Sequence, residues 1–437
     1  MSEQSIELGT EAAQSTETEK RAQEDLVFEG IDRIDFASPE AGKTAAELVE
    51  FAANLHASDL FLNDNEDEYQ IDIRYLGILR HLVRIQREDG RRLFNHFKAV
   101  AGMDLGQRLR PEDGRCVITL ANGGKLDLRV NTIPTLYGED MAIRLLKRDA
   151  RLLSLDNLGL LPWDLAKLRS MLASPGGLIL VTGPTGAGKT TTLYACIHHL
   201  NDGTRRICTI EDPIEYAITG VRQSRVNLRI GLDFPELLRS VLRQGADVIL
   251  VGEIRDPVTA ETAVRAAKSG QLVLATLHAS IAAAAVDSML ALGVHPHFLA
   301  TGLLGIVTQR LVRTLCPHCR IAVDISESPH TFDDVRKWLR ADQGQTIYMA
   351  PGCTHCRMEG HAGRTGVFEV LHASREIRRL IEQRSGTGQI RDQALREGML
   401  DVRRSALLKV AEGLVSMEEV MRVIPAEYLL PDAQQPD

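Results

Sequence analysis

The chain has 437 residues, more than one hydrophobic core usually supports, so we expect two to four domains. Its hydrophobic fraction of 44% and charged fraction of 25% are typical of globular proteins and exclude the fibrous and disordered classes. A formal net charge of -8 argues against a general attraction to nucleic acid, so no direct nucleic-acid partner is expected.

Two further patterns bear on location and chemistry. No apolar run approaches the roughly 18 to 20 residues that span a bilayer, and no secretory signal pattern opens the sequence, so a cytoplasmic location is expected. Four of the seven cysteines form two tight pairs late in the chain, which favours a metal site under reducing conditions over a disulfide framework.

The first part of the chain is predicted to hold a tail, a small domain and a connector. Residues 1–44 begin with a stretch rich in Ser, Glu, Gln and Thr, and we expect a flexible tail there. Residues 45–147 open with apolar residues at helical spacing, continue with a strand-like alternation, and indicate a small α+β domain. The pattern loosens over residues 148–164, which we interpret as an interdomain linker.

The second part of the chain is predicted to hold three regions. Residues 165–312 alternate helical patterns with short apolar runs, which is typical of parallel strands buried on both faces. The apolar runs are residues 178–182, 207–210, 248–251 and 272–277. Residues 313–372 contain the cysteine pairs and are predicted to be a zinc-binding subdomain. Residues 373–437 show apolar residues at helical spacing and are predicted to be a helical C-terminal region.

A phosphate-binding loop is predicted at residues 183–190, between an apolar strand and a helix that begins near Lys189. Its glycines let backbone N–H groups turn onto phosphate oxygens, and the helix N-terminus adds a partial positive charge. Lys189 is expected to contact the β and γ phosphates, and Thr190 to ligate Mg²⁺. The residues predicted to hold ATP are Gly183, Pro184, Thr185, Gly186, Ala187, Gly188, Lys189, Thr190 and Thr191.

Acidic residues follow two of the apolar runs. Glu253 stands at the carboxyl end of the third run, where ligands of such sheets bind, and we expect it to hold the metal's water. Glu211 and Asp212 follow the second run. They are expected to belong to the ATP-binding site and to shape the environment of its metal ion. Glu215 is the candidate for positioning or deprotonating the attacking water, and a solvated acidic turn is the alternative.

A histidine ends the fourth apolar run. His278 is therefore expected at the same sheet edge as the phosphate loop, where an imidazole would be a candidate γ-phosphate sensor. A lone histidine is more often structural, and that alternative stays open.

Two C-x-x-C knuckles lie in the later part of the chain, with a spacer longer than that of the commonest zinc ribbons. Each knuckle presents two thiolates, and four thiolates fill the coordination shell of a structural Zn²⁺ without an open position for catalysis. A redox dithiol is the alternative. The predicted ligands are Cys316, Cys319, Cys353 and Cys356.

Together these motifs resemble the secretion ATPases of the GspE/PilB group, which power type II secretion and type IV pilus assembly. Four ATPase boxes of that family match residues 183–190, 209–216, 248–256 and 270–278. The resemblance implies an α/β fold with a RecA-like P-loop core, a small α+β N-terminal domain, a tetracysteine zinc subdomain and a helical C-terminal piece.

The same resemblance implies roles for residues outside the core. In that family an N-terminal domain donates arginines to the nucleotide phosphates, and Arg129 and Arg144 stand in the matching segments as the implied finger residues. Considered without the family, either arginine would form a surface ion pair. Gln271 stands where the family usually has a histidine, which removes a titratable group from that position.

The resemblance implies a homo-hexameric ATPase that hydrolyses ATP with Mg²⁺ to drive pilin or pseudopilin assembly. Its implied partner is the cytoplasmic domain of an inner-membrane platform protein, which puts the chain peripherally at the cytoplasmic face of that membrane. A pilus retraction or DNA-uptake motor, a nucleic-acid translocase and a nucleotide-binding scaffold without turnover stay open as alternatives. The tetracysteine subdomain favours assembly or secretion, because retraction motors usually lack it.

Overall fold

The computed structural model describes residue 28 and residues 30–120, 123–146 and 154–429. The chain divides into two compact units, Met1–Arg148 and Asp149–Asp437. Most of the predicted tail, and the predicted linker as far as residue 153, lie outside the described residues.

The described part of the first unit is a twisted antiparallel sheet with two helices. Its six strands lie in the order β3-β2-β1-β6-β5-β4. Alternate side chains of the central strands β1, β2, β5 and β6 are buried, because one face of the sheet covers an apolar core with the helices. The elements are β1 (Asp59–Asp64), β2 (Glu68–Tyr75), β3 (Ile78–Gln86), β4 (Glu112–Thr119), β5 (Lys125–Pro134), β6 (Glu139–Leu146), α1 (Ala41–Asn54) and α2 (Arg87–Val100).

The packed part of this unit begins earlier than the sequence suggested. Phe28, Ile31 and Ile34 are buried in the unit's core, and α1 begins at Ala41. The predicted boundary of the tail at residue 44 is therefore wrong. These three apolar residues repeat at a spacing of three within a polar stretch, and burying them offsets the entropy of ordering the segment.

The second unit contains a mixed sheet of seven strands among the described residues, in the order β15-β12-β7-β11-β10-β8-β9. Its strands are β7 (Gly177–Thr182), β8 (Ile207–Glu211), β9 (Arg222–Arg225), β10 (Val248–Val251), β11 (Leu272–Leu277), β12 (Leu303–Leu315) and β15 (His361–His372). Its first helices are α3 (Pro162–Leu172), α4 (Lys189–Leu200), α5 (Phe234–Leu242), α6 (Pro257–Lys268), α7 (Ala282–Ala291) and α8 (Pro296–Gly302). The last ones are α9 (Arg375–Glu382), α10 (Thr387–Arg396), α11 (Val402–Ala411), α12 (Met417–Val423) and α13 (Ala426–Leu429).

The four predicted apolar strands are confirmed as β7, β8, β10 and β11. They run parallel to their neighbours in this sheet, and every residue in them is buried. Helices cover both faces, which is why continuous apolar runs rather than alternating ones encode these strands. Parallel strands end at one edge, so the loops after them meet there.

The described end of the predicted linker belongs to the second unit. Leu155, Leu158 and Leu161 are buried, and a 3₁₀ turn at Leu155–Asn157 is capped by Ser154. The helix that follows, α3, begins at Pro162. The interpretation of residues 154–164 as part of an interdomain linker is therefore wrong, because three leucines at a spacing of three anchor them on the core of the second unit.

The cysteine region is an insertion between two neighbouring strands. β12 and β15 pair antiparallel, from Gly305 opposite His372 to Leu315 opposite His361. The boundary predicted for the zinc subdomain at residue 372 is therefore wrong, since β15 is part of the core sheet. The segment between them holds a two-stranded hairpin, β13 (Ile321–Asp324) with β14 (Thr346–Met349).

The helices of the described ranges are those of a globular α/β protein. None of them combines the length and the apolar character that crossing a bilayer requires.

Candidate nucleotide and metal sites

The predicted phosphate loop joins the end of β7 to the start of α4. Gly183, Gly186 and Gly188 have φ angles of 140°, 77° and 88°, which side-chain-bearing residues rarely adopt. Gly188 is also the residue before α4, whose first N–H groups lack partners within the helix. A loop of this shape ahead of a helix N-terminus fits phosphate oxygens.

Strand β12 supports the phosphate loop from behind. A methyl group added to Gly183 would lie 2.4 Å from the carbonyl oxygen of Gln309, so only glycine fits there. The buried Gln309 side chain donates from Nε2 to the carbonyl of Ala187 at 2.7 Å, and Thr308 bonds Thr182 at 2.6 Å. The sequence analysis missed both residues. The signal was the run of three polar residues, Thr308, Gln309 and Arg310, after the apolar start of the strand.

The Lys189 side chain folds back over the first residues of the phosphate loop. Its Nζ donates to the carbonyl oxygens of Gly183 at 2.8 Å and Pro184 at 3.1 Å. Burial lowers the pKa of Lys189, and the negative charge of Glu253 acts in the opposite direction. The amine and the carboxylate of Glu253 therefore belong to one electrostatic cluster.

Glu253 is the centre of this cluster. Arg255 approaches Oε2 at 2.5 Å, His278 Nε2 lies 2.9 Å from Oε1, and the Glu253 side chain is 17% exposed. Burial acts to raise the pKa of Glu253, but the hydrogen bond and charge of Arg255, with the charges of His278 and Lys189, lower it overall. Glu253 is thus held as an anion at the carboxyl edge of the sheet.

These residues fit the groups that the sequence predicted for them. Lys189 and the N-terminus of α4 supply positive charge for a triphosphate, and ionised Glu253 with the hydroxyl of Thr190 supplies the hard oxygen ligands that Mg²⁺ prefers. Asp212 adds a second carboxylate close enough to act on the charge of Arg255.

Glu211 differs from the other predicted acidic residues because it is 3% exposed. Its carboxylate accepts hydrogen bonds from the Tyr194 hydroxyl, from Thr209 at 2.5 Å and from Gln223 at 3.1 Å. Buried carboxylates satisfied in this way are structural. The same Tyr194 hydroxyl accepts from the backbone N–H of Glu215 at 3.3 Å, so the segment bearing Glu215 is attached to α4.

Gln271 and His278 occupy opposite ends of β11. Gln271 precedes the strand, and its backbone carbonyl accepts from the N–H of Gly177 at 3.0 Å, at the amino edge of the sheet. His278 follows the strand at the carboxyl edge, beside Glu253. Seven residues of extended chain separate them by roughly 20 Å, so Gln271 is remote from the phosphate loop of its own chain.

Arg129 and Arg144 belong to the first unit. They are directly opposite each other on β5 and β6, and Arg144 also donates from Nε to Asp59 at 3.1 Å. Like charges opposite each other in a sheet repel unless an anion compensates them. Asp59 compensates Arg144 in this way, so Arg144 forms the surface ion pair that the sequence left open as the alternative. The finger role of the two arginines stays a prediction.

The four predicted zinc ligands converge. Their Sγ atoms lie within 4.8 Å of one another. Cys316 and Cys353 are 3.9 Å apart, Cys319 and Cys356 are 3.8 Å apart, and Cys353 and Cys356 are 3.7 Å apart. Zinc–sulfur bonds of about 2.3 Å in a tetrahedron put sulfurs about 3.8 Å apart, whereas a disulfide needs about 2.05 Å. The cluster therefore fits a tetrahedral metal ion and not two disulfides.

Sequence comparison places this chain among secretion and pilus ATPases. The family model described as "Type II/IV secretion system protein" matches residues 41–422. The chain is 39% identical to the type II secretion system ATPase E of Vibrio cholerae over 368 residues, which are 84% of this chain and 72% of that protein. It is 35% identical to the type IV pilus assembly ATPase TfpB of Acinetobacter baylyi over 384 residues, 86% of this chain and 64% of that protein.

A solved structure shows the same fold. The pilus retraction motor PilT with bound ADP is 25% identical, covers 90% of this chain and 98% of its own, and superposes with a TM-score of 0.59. The mixed α/β fold, the four-cysteine cluster and the C-terminal helices expected from the sequence are confirmed. With the family model spanning nearly the whole described chain, the protein belongs to the Type II/IV secretion system protein family.

Proposed function

We propose that this chain is an ATPase that powers pilin or pseudopilin assembly for type II secretion or type IV pilus biogenesis. The observation that carries the proposal is the cluster of Lys189, Glu253 and His278 at the edge of the sheet where the phosphate loop meets α4. The relatives named above as secretion and pilus assembly ATPases support the choice of process.

Each residue of the site has a proposed role in hydrolysis. Lys189 and the backbone of residues 183–190 would bind the phosphates, and Thr190 and Glu253 would hold the metal and its water. Mg²⁺, when bound, would neutralise charge on the phosphates and orient them. His278 holds one carboxylate oxygen of Glu253 at 2.9 Å and is suited to report on the terminal phosphate.

Two further roles stay proposals that only activity measurements test. Glu215 would position or deprotonate the attacking water, with Asp212 nearby. Arg129 and Arg144 would neutralise developing phosphate charge as arginine fingers, since a planar guanidinium bonds two phosphate oxygens at once. Glu211 is better explained as a buried support for the loop, because Tyr194, Thr209 and Gln223 satisfy it.

The cysteine cluster would hold a structural Zn²⁺. Backbone N–H groups of Cys353 and Gly360 both donate to Cys356 Sγ at 3.2 Å, and such bonds stabilise a thiolate ligand. All four ligand positions are sulfur, so the ion would fix the insertion and take no part in the reaction.

The proposed assembly and location are supported by family membership. We propose a homo-hexamer that binds the cytoplasmic domain of an inner-membrane platform protein and acts at the cytoplasmic face of that membrane. A retraction or DNA-uptake motor is the alternative, because the solved structure of a retraction motor shares the fold.

Steady-state ATPase assays test the proposal directly. Wild type with Mg²⁺ and ATP should turn over, and Lys189→Ala should lose at least about a hundredfold in kcat/KM because a phosphate-loop charge is removed. Wild-type protein that neither binds nor hydrolyses ATP, including at concentrations that favour hexamers, would overturn it. Expression of the chain in a strain that lacks its own assembly ATPase separates the processes. Restored secretion or restored piliation would indicate an assembly motor, and neither is expected of a retraction motor.

A further inference from the structure

The loop that carries His278 is held by residues far away in the sequence. It joins β11 to α7, and beyond His278 it runs through the exposed Ser280. The carbonyl of Ser280 accepts a long hydrogen bond of 3.4 Å from the guanidinium of Arg310, and its hydroxyl lies 2.9 Å from that of Tyr428 in α13. Strand β12 and the C-terminal helices therefore contact the loop two residues from His278.

Arg310 is an unusual residue for the middle of a sheet. It is 6% exposed on β12, and within the described part of the chain its Nε atom has no hydrogen-bond partner. The acidic side chains that act on its charge are those of Glu369 and Glu427, and the neutral phenol of Tyr428 lies on the same side. Burying a guanidinium costs free energy unless its donors are satisfied, and such costs are typical of functional positions.

The far end of the loop is held by Glu369. This buried carboxylate on β15 accepts from the N–H of Ala282, the first residue of α7, at 2.7 Å. Its other oxygen accepts from the N–H of Val402, the first residue of α11, at 3.0 Å. One carboxylate thus ties the start of the helix after the loop to the C-terminal helices.

Three consecutive residues of β12 contact three segments around the nucleotide site. Thr308 bonds Thr182 before the phosphate loop, Gln309 bonds Ala187 within it, and Arg310 bonds Ser280 in the His278 loop. Successive side chains of a strand point to opposite faces, so one strand braces both loops. The relative position of Lys189 and His278 therefore depends on residues 308–310.

We propose that Arg310 is a positioning residue for ATP hydrolysis, which holds the His278 loop in place relative to Glu253 and the phosphate loop. The inference rests on the proposed function, because the reaction it serves is hydrolysis at that site. Arg310 does not touch the nucleotide in this role. It acts through Ser280, and Tyr428 supports the same residue from the C-terminal side.

The test compares Arg310→Met with Arg313→Met in the full-length chain. Arg313 is on the same strand and is ion-paired at 2.8 Å to Glu419 in α12, so its loss removes a comparable buried cation without contacting the loop. Arg310→Met should lower kcat roughly tenfold while KM for ATP changes less than about threefold. Arg313→Met should lower the unfolding midpoint but keep kcat, and Arg310→Lys should recover part of the kcat.

A double-mutant cycle shows whether Arg310 acts through His278. If it does, Arg310→Met combined with His278→Ala should be no slower than the slower single variant, because the loop is already inactive. Multiplicative losses, or wild-type kcat in folded Arg310→Met, would overturn the inference. Should Arg310→Met fail to fold, Tyr428→Phe decides: it should lower kcat about twofold or more at unchanged KM, and an unchanged kcat would count against the inference.

The outcome also separates this inference from the proposed function. Turnover that survives in Lys189→Ala contradicts the nucleotide site itself. Turnover that is lost in Lys189→Ala but persists with the wild-type kcat in Arg310→Met and Tyr428→Phe contradicts only the role of β12.

Discussion

His278 Nε2 lies 2.9 Å from Oε1 of Glu253, while Arg255 approaches the other carboxylate oxygen at 2.5 Å. Both oxygens of Glu253 are therefore paired with nitrogen donors from two loops at the same sheet edge. The negative charge of Glu253 attracts both Arg255 and His278, so removing that charge is the most direct test of the site.

Glu253→Gln should keep ATP binding and lose most turnover. The amide is nearly the same size, so the loop keeps its shape, but it no longer holds a metal-bound water as an anion does. We expect kcat to fall by about two orders of magnitude or more with little change in nucleotide affinity. Steady-state kinetics and equilibrium binding of a fluorescent ATP analogue measure the two quantities.

The matched control for this variant is Glu261→Gln. Glu261 is an exposed residue of α6 paired with Arg265, away from the described cluster. Its turnover should equal that of the wild type. Equal turnover in Glu253→Gln and Glu261→Gln would remove Glu253 from the mechanism.

Tyr194→Phe should destabilise the second unit by about 1 to 3 kcal/mol, because it removes a donor from the buried Glu211 and an acceptor from the Glu215 N–H. Urea unfolding followed by intrinsic fluorescence measures the change. Tyr348→Phe is the control, since the Tyr348 ring packs against the Arg320 guanidinium. A Tyr194→Phe variant as stable as this control would contradict the structural role given to Glu211.

Purified protein should contain about one zinc ion per chain, held by the four cysteines. Cys316→Ser and Cys356→Ser should each lose most of the metal and loosen the insertion, so that a protease cuts it faster. Elemental analysis and limited proteolysis measure both effects. Cys116→Ser, on β4 of the other unit, should retain the metal. Metal-free wild-type protein from a zinc-supplemented preparation would refute the site.

The Glu419 carboxylate should make stability depend on acid pH. Burial acts to raise its pKa, but hydrogen bonds from Arg422 and Arg313 lower it from 4.5 to about 2. A depressed folded pKa stabilises the protein fully above the unfolded value, and this contribution is lost as pH falls through about 2. The shift corresponds to about 3 kcal/mol.

The experiment compares urea unfolding of wild type and Glu419→Gln from pH 7 down to pH 3. The free-energy difference between them should be largest near neutral pH and should shrink below about pH 4.5. Glu418→Gln, an exposed neighbour on α12, should show no such trend. A difference that stays constant with pH would contradict the ion pair as its source.

The sequence was sufficient for the parts of the fold that local patterns encode. Continuous apolar runs gave the parallel strands within a residue or so, and the glycines with Lys189 gave the phosphate loop, because both signals need only neighbours in the chain. The C-x-x-C spacing identified each pair of metal ligands for the same reason, and the need of a zinc ion for four ligands joined the two pairs. Glu253 and His278 followed from the rule that parallel strands end at one edge.

The remaining features depend on long-range contacts. Glu211 ends a strand as a site residue would, and only the approach of Tyr194 from α4 shows that it is buried and satisfied. β15 was assigned to the cysteine region because the cysteines precede it, although its partner β12 lies before them. Gln309 and Arg310 were visible as polar residues in an apolar strand, but their partners were not.

The antiparallel pairing of β12 with β15 affects two properties of the cysteine insertion: the length it can have, and its mechanical coupling to the phosphate loop. Leu315 and His361 are opposite each other where the chain leaves and re-enters the sheet, so the intervening segment could be shortened to a plain hairpin with the sheet intact. When the segment is present, Cys316 directly follows β12, the strand that also bears Gln309 behind the phosphate loop. A displacement of the cysteine cluster would therefore be transmitted along β12, a single strand, to the phosphate loop.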